Sequence, residues 1–202
     1  PFPERMRIDH QMRLASLSKL LTVALALKTV AAGRLDPQDR VTDLPGIDGE
    51  FADPRLGEIT VAQLMNHTAG FDRELSGDPM FDAEPWCPDR LDRLQAIRLD
   101  HRPGSHFAYS NLGYCLLGQV LARVNGVPLP ELVRRELLDP AGAPAIRTAS
   151  GGRYDDGESG HFYEAPEARA TLLGLDYRLH LASGGWRGTA DSFAGWLRRA
   201  FG

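Results

Sequence analysis

The sequence of 202 residues is poor in cysteine, containing only Cys87 and Cys115. Two cysteines cannot build the disulfide framework of a small secreted domain, and their spacing is not that of a zinc site. The sequence does not decide whether the two pair with each other. Positive charge is not in excess either, because the net charge is −4. The composition therefore gives no indication of binding to nucleic acid or to an anionic membrane.

Long apolar runs are also missing. The longest, residues 20–27, contains Thr22 and ends before Lys28, so it is far too short to span a bilayer. No secretory signal is visible. The chain begins Pro-Phe-Pro and ends within an amphipathic pattern, and we therefore expect the intact protein to be longer. An apolar fraction of 43% is ordinary for a globular domain that folds without metals or disulfides.

Apolar periodicity predicts a mostly helical chain, with no group of strands able to form a large sheet. A Gly-, Asp- and Pro-rich stretch over residues 70–88 predicts a long surface loop of a kind that is often functional. The first predicted helix has apolar residues around most of its circumference, so we expect it to be buried. One apolar face consists of Leu17, Leu20, Leu21, Ala24, Leu27 and Ala31. The predicted helices cover residues 16–32, 60–66, 110–124, 130–138 and 190–201.

A candidate nucleophile stands at the start of the first predicted helix. Ser16 and Lys19 are three residues apart, a spacing that places both side chains on one helix face. A serine hydroxyl needs an adjacent base to become a strong nucleophile, and a lysine can serve when burial or a neighbouring cation lowers its pKa. Backbone N–H groups at the helix N-terminus suit an oxyanion. The simpler interpretation is a capping serine beside a solvated lysine, because Ser-x-x-Lys alone is a weak motif.

A phenol and a carboxamide occur together before the helix predicted over residues 110–124. Tyr109 and Asn111 are two residues apart, and alternate residues of an extended loop point the same way. A phenol near cations can accept a proton and return it to a leaving group, and a carboxamide can bind a substrate carbonyl. The alternative is a buried tyrosine followed by a capping Ser-Asn pair.

These segments together resemble the penicillin-recognising serine hydrolases, and most closely the branch of class C β-lactamases, D-alanyl-D-alanine peptidases and related esterases. The resemblance rests on Ala-Ser-Leu-Ser-Lys ending at Lys19 and on Tyr-Ser-Asn from Tyr109 to Asn111. Further segments agree with the family in the same order, at residues 59–70, 102–114 and 184–191.

The resemblance implies an α/β fold in which an antiparallel sheet is flanked by helices and joined to a helical lobe. This chain would contain mainly the helical part, with most sheet strands missing. We therefore expect residues 1–202 to be a partial serine hydrolase domain. Its parts would be a nucleophile helix over about 16–32, a helical lobe over about 59–145 and a later segment over 184–202.

The resemblance also implies roles for individual residues. Ser16 would be the acylated nucleophile, Lys19 its proton partner and Tyr109 a second acid/base group. Asn111 would hold the substrate carbonyl, and Trp186 would lie near the site. Which group deprotonates the serine is disputed among relatives that share Ser-x-x-Lys. We therefore assign the proton transfers to a Ser-Lys-Tyr network rather than to one base.

One family motif is missing from the sequence. The relatives carry Lys-Thr-Gly or His-x-Gly on a central strand, which lines the site opposite the serine and supplies an oxyanion N–H. In this chain His67 precedes the second motif, and His161 lacks the glycine that the motif requires. Either that strand lies outside this chain or the polypeptide is a degenerate fragment.

Three functional hypotheses remain open at this stage. The leading one is a cofactor-free hydrolase that acts through a Ser16 acyl-enzyme on an amide, ester or β-lactam carbonyl of a small-molecule or peptidoglycan-like substrate. The second is a catalytically silent fragment or penicillin-binding module. The third, a plain helical interaction domain, requires the four site residues to be scattered in space. The histidines have no metal-ligand spacing that we recognise, so no metal site is predicted. Location and oligomeric state stay open, and the family's tendency to work outside the cytoplasm is only implied.

Overall fold

The computed structural model describes residues 6–44, 46–47, 49–82, 84–151, 154, 157–159 and 174–202. Predicted helix positions are confirmed there, with small shifts at the ends. The α-helices are α1 (Ser18–Ala31), α2 (Val61–Met65), α3 (Asn111–Asn125), α4 (Leu129–Val133) and α5 (Ala190–Phe201). A π-helical turn, Arg134–Leu138, continues α4. Short 3-10 turns lie at Ala15–Leu17, Val41–Asp43, Pro54–Glu58, Pro79–Phe81 and Leu91–Ala96.

A small antiparallel sheet joins three distant parts of the chain. Its strands are β1 (Met12–Arg13), β2 (Arg147–Thr148) and β3 (Trp186–Gly188), in the order β1-β3-β2. Met12 lies opposite Gly188, and Thr148 lies opposite Trp186. Strands of two or three residues are too short to show apolar alternation, which is why periodicity could not predict them.

Helix α3 forms the centre of the core and packs against α1, α2 and α4. Its apolar residues at helical spacing are all buried, namely Leu112, Leu116, Leu117, Val120 and Leu121. The Ser110 hydroxyl caps the helix by accepting a hydrogen bond from the Gly113 N–H at 3.0 Å. A disulfide between Cys87 and Cys115 fastens the preceding loop to α3, which answers the question that the sequence left open.

The predicted buried face of α1 is partly wrong. Leu17, Leu20 and Leu27 are 50%, 37% and 48% exposed, and Ala31 is exposed as well. The buried side instead combines apolar and polar groups, namely Ser18, Lys19, Leu21, Thr22, Ala24, Leu25, Ala26 and Thr29. An apolar pattern around the whole helix does not say which side will be covered, because that depends on neighbours far away in the sequence.

The neighbour that covers this polar side is the segment just before β3. The Thr22 hydroxyl donates to the Ala182 carbonyl at 2.8 Å, and the Trp186 N–H donates to the Ser18 hydroxyl at 3.3 Å. Gly185 permits the tight turn, since a Cβ there would lie 2.3 Å from the Tyr177 carbonyl oxygen. Trp186 is 2% exposed, and its indole N–H donates to the Leu181 carbonyl.

No helix in the described part of the chain is both long enough and apolar enough to cross a membrane.

Candidate active site

The four residues singled out in the sequence meet in one place. The hydroxyl oxygens of Ser16 and Tyr109 are 2.6 Å apart. The Lys19 ammonium donates to Asn111 Oδ1 at 2.7 Å. The two motifs are far apart in the sequence, and this convergence overturns the interpretation of a plain helical domain with scattered residues.

Ser16 lies on a strained turn directly before α1. It belongs to the 3-10 turn Ala15–Leu17 and is exposed to solvent. Ala15 has a φ of 44°, a left-handed conformation that is uncommon for residues other than glycine. His67, which contacts Tyr109, has a φ of 62°. Such strain tends to persist at functional sites because the surrounding structure enforces it.

Lys19 is the buried cation of the site. Its residue is only 6% exposed, and Nζ donates at 2.7 Å to Asn111 Oδ1 and at 2.7 Å to the Ser183 carbonyl. Burial lowers the pKa of Lys19 to about 7, because the charged amine loses its water. The nearby charge of Asp78 acts in the opposite direction and raises this pKa, while that of Arg73 lowers it further.

The Tyr109 ring is surrounded by basic groups. The imidazole of His67 stacks on it with ring centroids 4.6 Å apart. Lys19 Nζ lies 4.8 Å from the ring centroid, and Arg73 Cζ lies 4.9 Å from it. Burial and, to a lesser degree, the charge of Lys19 lower the pKa of His67 to about 4. His67 is therefore neutral near pH 7, and its Nδ1 accepts the Ser110 N–H at 3.2 Å.

Asn111 is held at both ends of its carboxamide. Its Oδ1 accepts from Lys19, and its Nδ2 donates to Asp78 Oδ2 at 2.8 Å. Asp78 is fixed in turn by the Pro79–Phe81 turn, where its Oδ1 accepts the Met80 N–H at 3.1 Å. One hydrogen on Nδ2 is left over for another acceptor, since a carboxamide nitrogen carries two.

A cavity of about 440 Å³ opens in front of these groups. Ser16, Tyr109 and Asn111 line one side of it, and Phe81, Leu175 and Tyr177 provide an apolar wall. His180 also lines the cavity, and burial lowers its pKa. Among the described residues its Nε2 has no hydrogen-bond partner. Volumes of this order suit a small-molecule ligand.

Sequence reasoning missed part of this arrangement. Asp78 and Arg73 come from the predicted loop over residues 70–88, whose composition indicated a loop but not its contacts. The Ser183 carbonyl is a backbone group and leaves no mark in a motif. In the sequence, His67 is notable only because it lies in the wrong place to belong to the third family motif. In the structure it supports Tyr109. His161 lies outside the described residues.

Comparisons with known proteins show which family the chain belongs to. A family model described as Beta-lactamase matches residues 3–202. The chain belongs to the β-lactamase family. This membership confirms the resemblance drawn from the motifs.

Two curated relatives illustrate how far the similarity extends. The probable fimbrial assembly protein FimD, serogroup H1, of Dichelobacter nodosus is 39% identical over 123 residues, which cover 60% of this chain and 31% of FimD. The D-alanyl-D-alanine-carboxypeptidase/endopeptidase AmpH of Escherichia coli strain K12 is 30% identical over 142 residues, covering 68% of this chain and 37% of AmpH. This chain thus matches about a third of the length of these relatives.

Solved structures show the same fold. The β-lactamase/D-alanine carboxypeptidase from Yersinia pestis superposes with a TM-score of 0.78 at 24% identity, over 98% of this chain and 55% of that one. A D-stereospecific amidohydrolase from Streptomyces gives a TM-score of 0.75 at 24% identity, over 94% and 60% of the two chains. The β-lactamase/transpeptidase-like fold is therefore confirmed, and this chain contains mainly its helical part with a small sheet.

Proposed function

We propose that this chain carries the acylation machinery of a serine hydrolase, with Ser16 as the nucleophile. The observation that carries the proposal is the 2.6 Å contact between the Ser16 and Tyr109 hydroxyls, with the buried Lys19 behind the Tyr109 ring. Ser16 faces the cavity, so that a carbonyl carbon bound there would meet its oxygen.

The hydrogen bonds of Lys19 can be made by its neutral form, which we take as the working state. A neutral amine has two N–H bonds and one lone pair. The two recorded acceptors, Asn111 Oδ1 and the Ser183 carbonyl, use both N–H bonds. The lone pair is then left to receive a proton, and a pKa of about 7 makes this form abundant at neutral pH.

The acylation step moves one proton along this network. Ser16 Oγ forms a bond to the substrate carbonyl carbon while its proton passes to the Tyr109 oxygen and the proton of Tyr109 moves toward Lys19. When the bond to the leaving group breaks, the same path returns the proton to the leaving nitrogen or oxygen. Water then forms a bond to the acyl carbon, its proton passes through the same network to Ser16 Oγ as the bond from Oγ to carbon breaks, and the acid is released. The apparent pKa values of these proton transfers therefore belong to the Ser-Lys-Tyr network as a whole rather than to one residue.

The cavity supports a carbonyl substrate with an apolar side group. The unused N–H of Asn111 is placed to donate to a substrate carbonyl, and Phe81, Leu175 and Tyr177 offer an apolar surface. Amides, esters and β-lactams all share this carbonyl. AmpH is named as a peptidase that acts on D-alanyl-D-alanine, and we extend to this chain the general class of hydrolase that forms an acyl-enzyme.

The direct experiment is covalent labelling read by mass spectrometry. The chain is incubated with a fluorophosphonate and, separately, with a penicillin, and the modified peptide is sequenced. We expect one adduct, on Ser16, that disappears in Ser16→Ala and persists in Ser18→Ala. Ser18 is the matched control because its buried hydroxyl accepts the Trp186 N–H instead of facing the cavity.

The competing function is a silent ligand-binding module, favoured by the missing third motif and its oxyanion N–H. It predicts a folded protein that binds a penicillin reversibly and forms no adduct with either reagent. An adduct on Ser16 that accumulates without turnover would place the defect in deacylation and would still support Ser16 as the nucleophile.

A further inference from the structure

A second cluster of reactive side chains lies outside the candidate active site. The carboxylate of Asp72 and the imidazoles of His101 and His106 each offer one ligand atom, and these atoms all lie within 4.8 Å of one another. Asp72 Oδ2 is 2.8 Å from His101 Nε2, and the two imidazole ring centroids are 4.3 Å apart. Three ligand atoms this close need only small side-chain movements to share one ion.

The ligand types select the metal. Two imidazoles and one carboxylate suit Zn²⁺, which binds nitrogen and oxygen at about 2.0–2.2 Å. Mg²⁺ and Ca²⁺ prefer oxygen ligands almost exclusively. Asp72 and His101 are half-buried, whereas His106 is exposed and provides the open side through which an ion can enter.

The backbone around the cluster is built rigidly. The N–H groups of Asp100 and His101 both donate to the Gly70 carbonyl, at 3.0 Å and 3.2 Å. A Cβ at Gly70 would lie 2.4 Å from the His101 carbonyl oxygen, so only glycine allows this approach. The second carboxylate oxygen of Asp72 accepts the Glu74 N–H at 2.9 Å, which orients the first toward the histidines.

We propose that Asp72, His101 and His106 form a Zn²⁺ site that clamps the loop carrying Arg73 and Asp78 to the segment carrying Tyr109 and Asn111. The ion takes the place of the hydrogen bond between Asp72 Oδ2 and His101 Nε2, and Nε2 then binds the ion through its lone pair. The site does not depend on the reactivity of Ser16. Motif spacing could not predict this site, because Asp72 is distant from the two histidines in the sequence.

The test is calorimetric titration of the untagged chain, stripped with a chelator, with ZnCl₂ and separately with MgCl₂. We expect one Zn²⁺ per chain and no measurable heat from Mg²⁺. His106→Ala should weaken Zn²⁺ binding by about 10-fold to 100-fold or more. This is the loss of metal affinity found when a group that only hydrogen-bonds to a metal ligand is removed. His106 is exposed, so this variant should fold. His10→Ala, outside the cluster, should bind as the parent does.

Thermal unfolding tests the clamp itself. At Zn²⁺ concentrations about 100 times the Kd, the melting temperature should rise by roughly 5 °C or more, and the rise should vanish in Asp72→Asn. Equal Zn²⁺ affinity in the parent, Asp72→Asn and His106→Ala would overturn the site, as would a folded parent that binds no Zn²⁺. Binding without thermal stabilisation would overturn the clamp.

Discussion

The two halves of the candidate active site differ in their contact with water. The open half, Ser16 and Tyr109, faces solvent and the cavity, and its central contact is one pair of hydroxyls. The buried half, Lys19 and Asn111, is largely shielded from solvent, although Asn111 reaches the cavity, and it is connected to Asp78 and the Ser183 carbonyl by several hydrogen bonds. The reacting atoms need access to substrate, whereas the amine whose charge controls them needs exclusion of water.

Removing the amine from the buried half should have the largest effect. Lys19→Met keeps an unbranched side chain but cannot hold a proton, so acylation by a fluorophosphonate or penicillin should slow by about 10³-fold. Circular dichroism should show that the variant folds. The matched control is Lys28→Met on the same helix, where the exposed amine bonds to the Glu136 carbonyl. An unchanged acylation rate in Lys19→Met would make Lys19 purely structural.

Removing one hydroxyl from the open half should have a smaller effect. Tyr109→Phe keeps the ring that stacks on His67 and lies near Lys19, but loses the oxygen in contact with Ser16. Acylation should fall by about 10²-fold, because the proton of Ser16 then has to reach Lys19 without the phenol that links them. Stopped-flow acylation measures this loss. If Tyr109→Phe is acylated more slowly than Lys19→Met, then the open half rather than the buried half controls proton transfer from Ser16.

The burial of Lys19 also predicts how stability depends on pH. The pKa of Lys19 is about 7 in the folded protein and 10.5 as its ordinary value. Between these values the unfolded chain binds more protons, so the free energy of unfolding rises with pH across this window. The difference in free energy of unfolding between the parent and Lys19→Met should increase by close to about 1.4 kcal/mol per pH unit in this window. Urea unfolding at several pH values tests this, and parallel curves for the two proteins would contradict it.

The charges around Lys19 should produce the smallest effects, with opposite signs. Asp78 raises the pKa of Lys19 and Arg73 lowers it. Asp78→Asn should therefore move the midpoint of the acylation-versus-pH profile downward, and Arg73→Gln should move it upward, each by less than about one unit. Arg90→Gln is the control, because Arg90 pairs with Asp92 on the surface. Midpoint shifts of the same sign in both variants would show that the pKa of Lys19 does not set the acylation-versus-pH profile.

Local signals explain which parts of the fold the sequence could predict. Helix α3 has inward apolar residues at helical spacing, a capping Ser110 and a left-handed Gly126 at its end, and all of these lie within the helix itself. The covered side of α1 could not be predicted, because it depends on the Ala182 and Ser183 carbonyls far along the chain. The sheet was missed since its strands are only two or three residues long.

The same distinction applies to the candidate site. Ser16, Lys19, Tyr109 and Asn111 belong to two short motifs, and motif spacing was enough to nominate them. Asp78 reaches Asn111 through the fold of a long loop, and no spacing rule connects the two residues. Contacts between loops depend on how the whole chain folds, so they became visible only in three dimensions.

The pKa of the Lys19 amine, measured by NMR of a chain labelled at the lysine side chains, tests most directly whether the buried half controls the open half. Lys19→Met identifies the signal by its disappearance. We predict a titration midpoint of about 7. A midpoint near the ordinary value of 10.5 would contradict a neutral proton acceptor behind Tyr109.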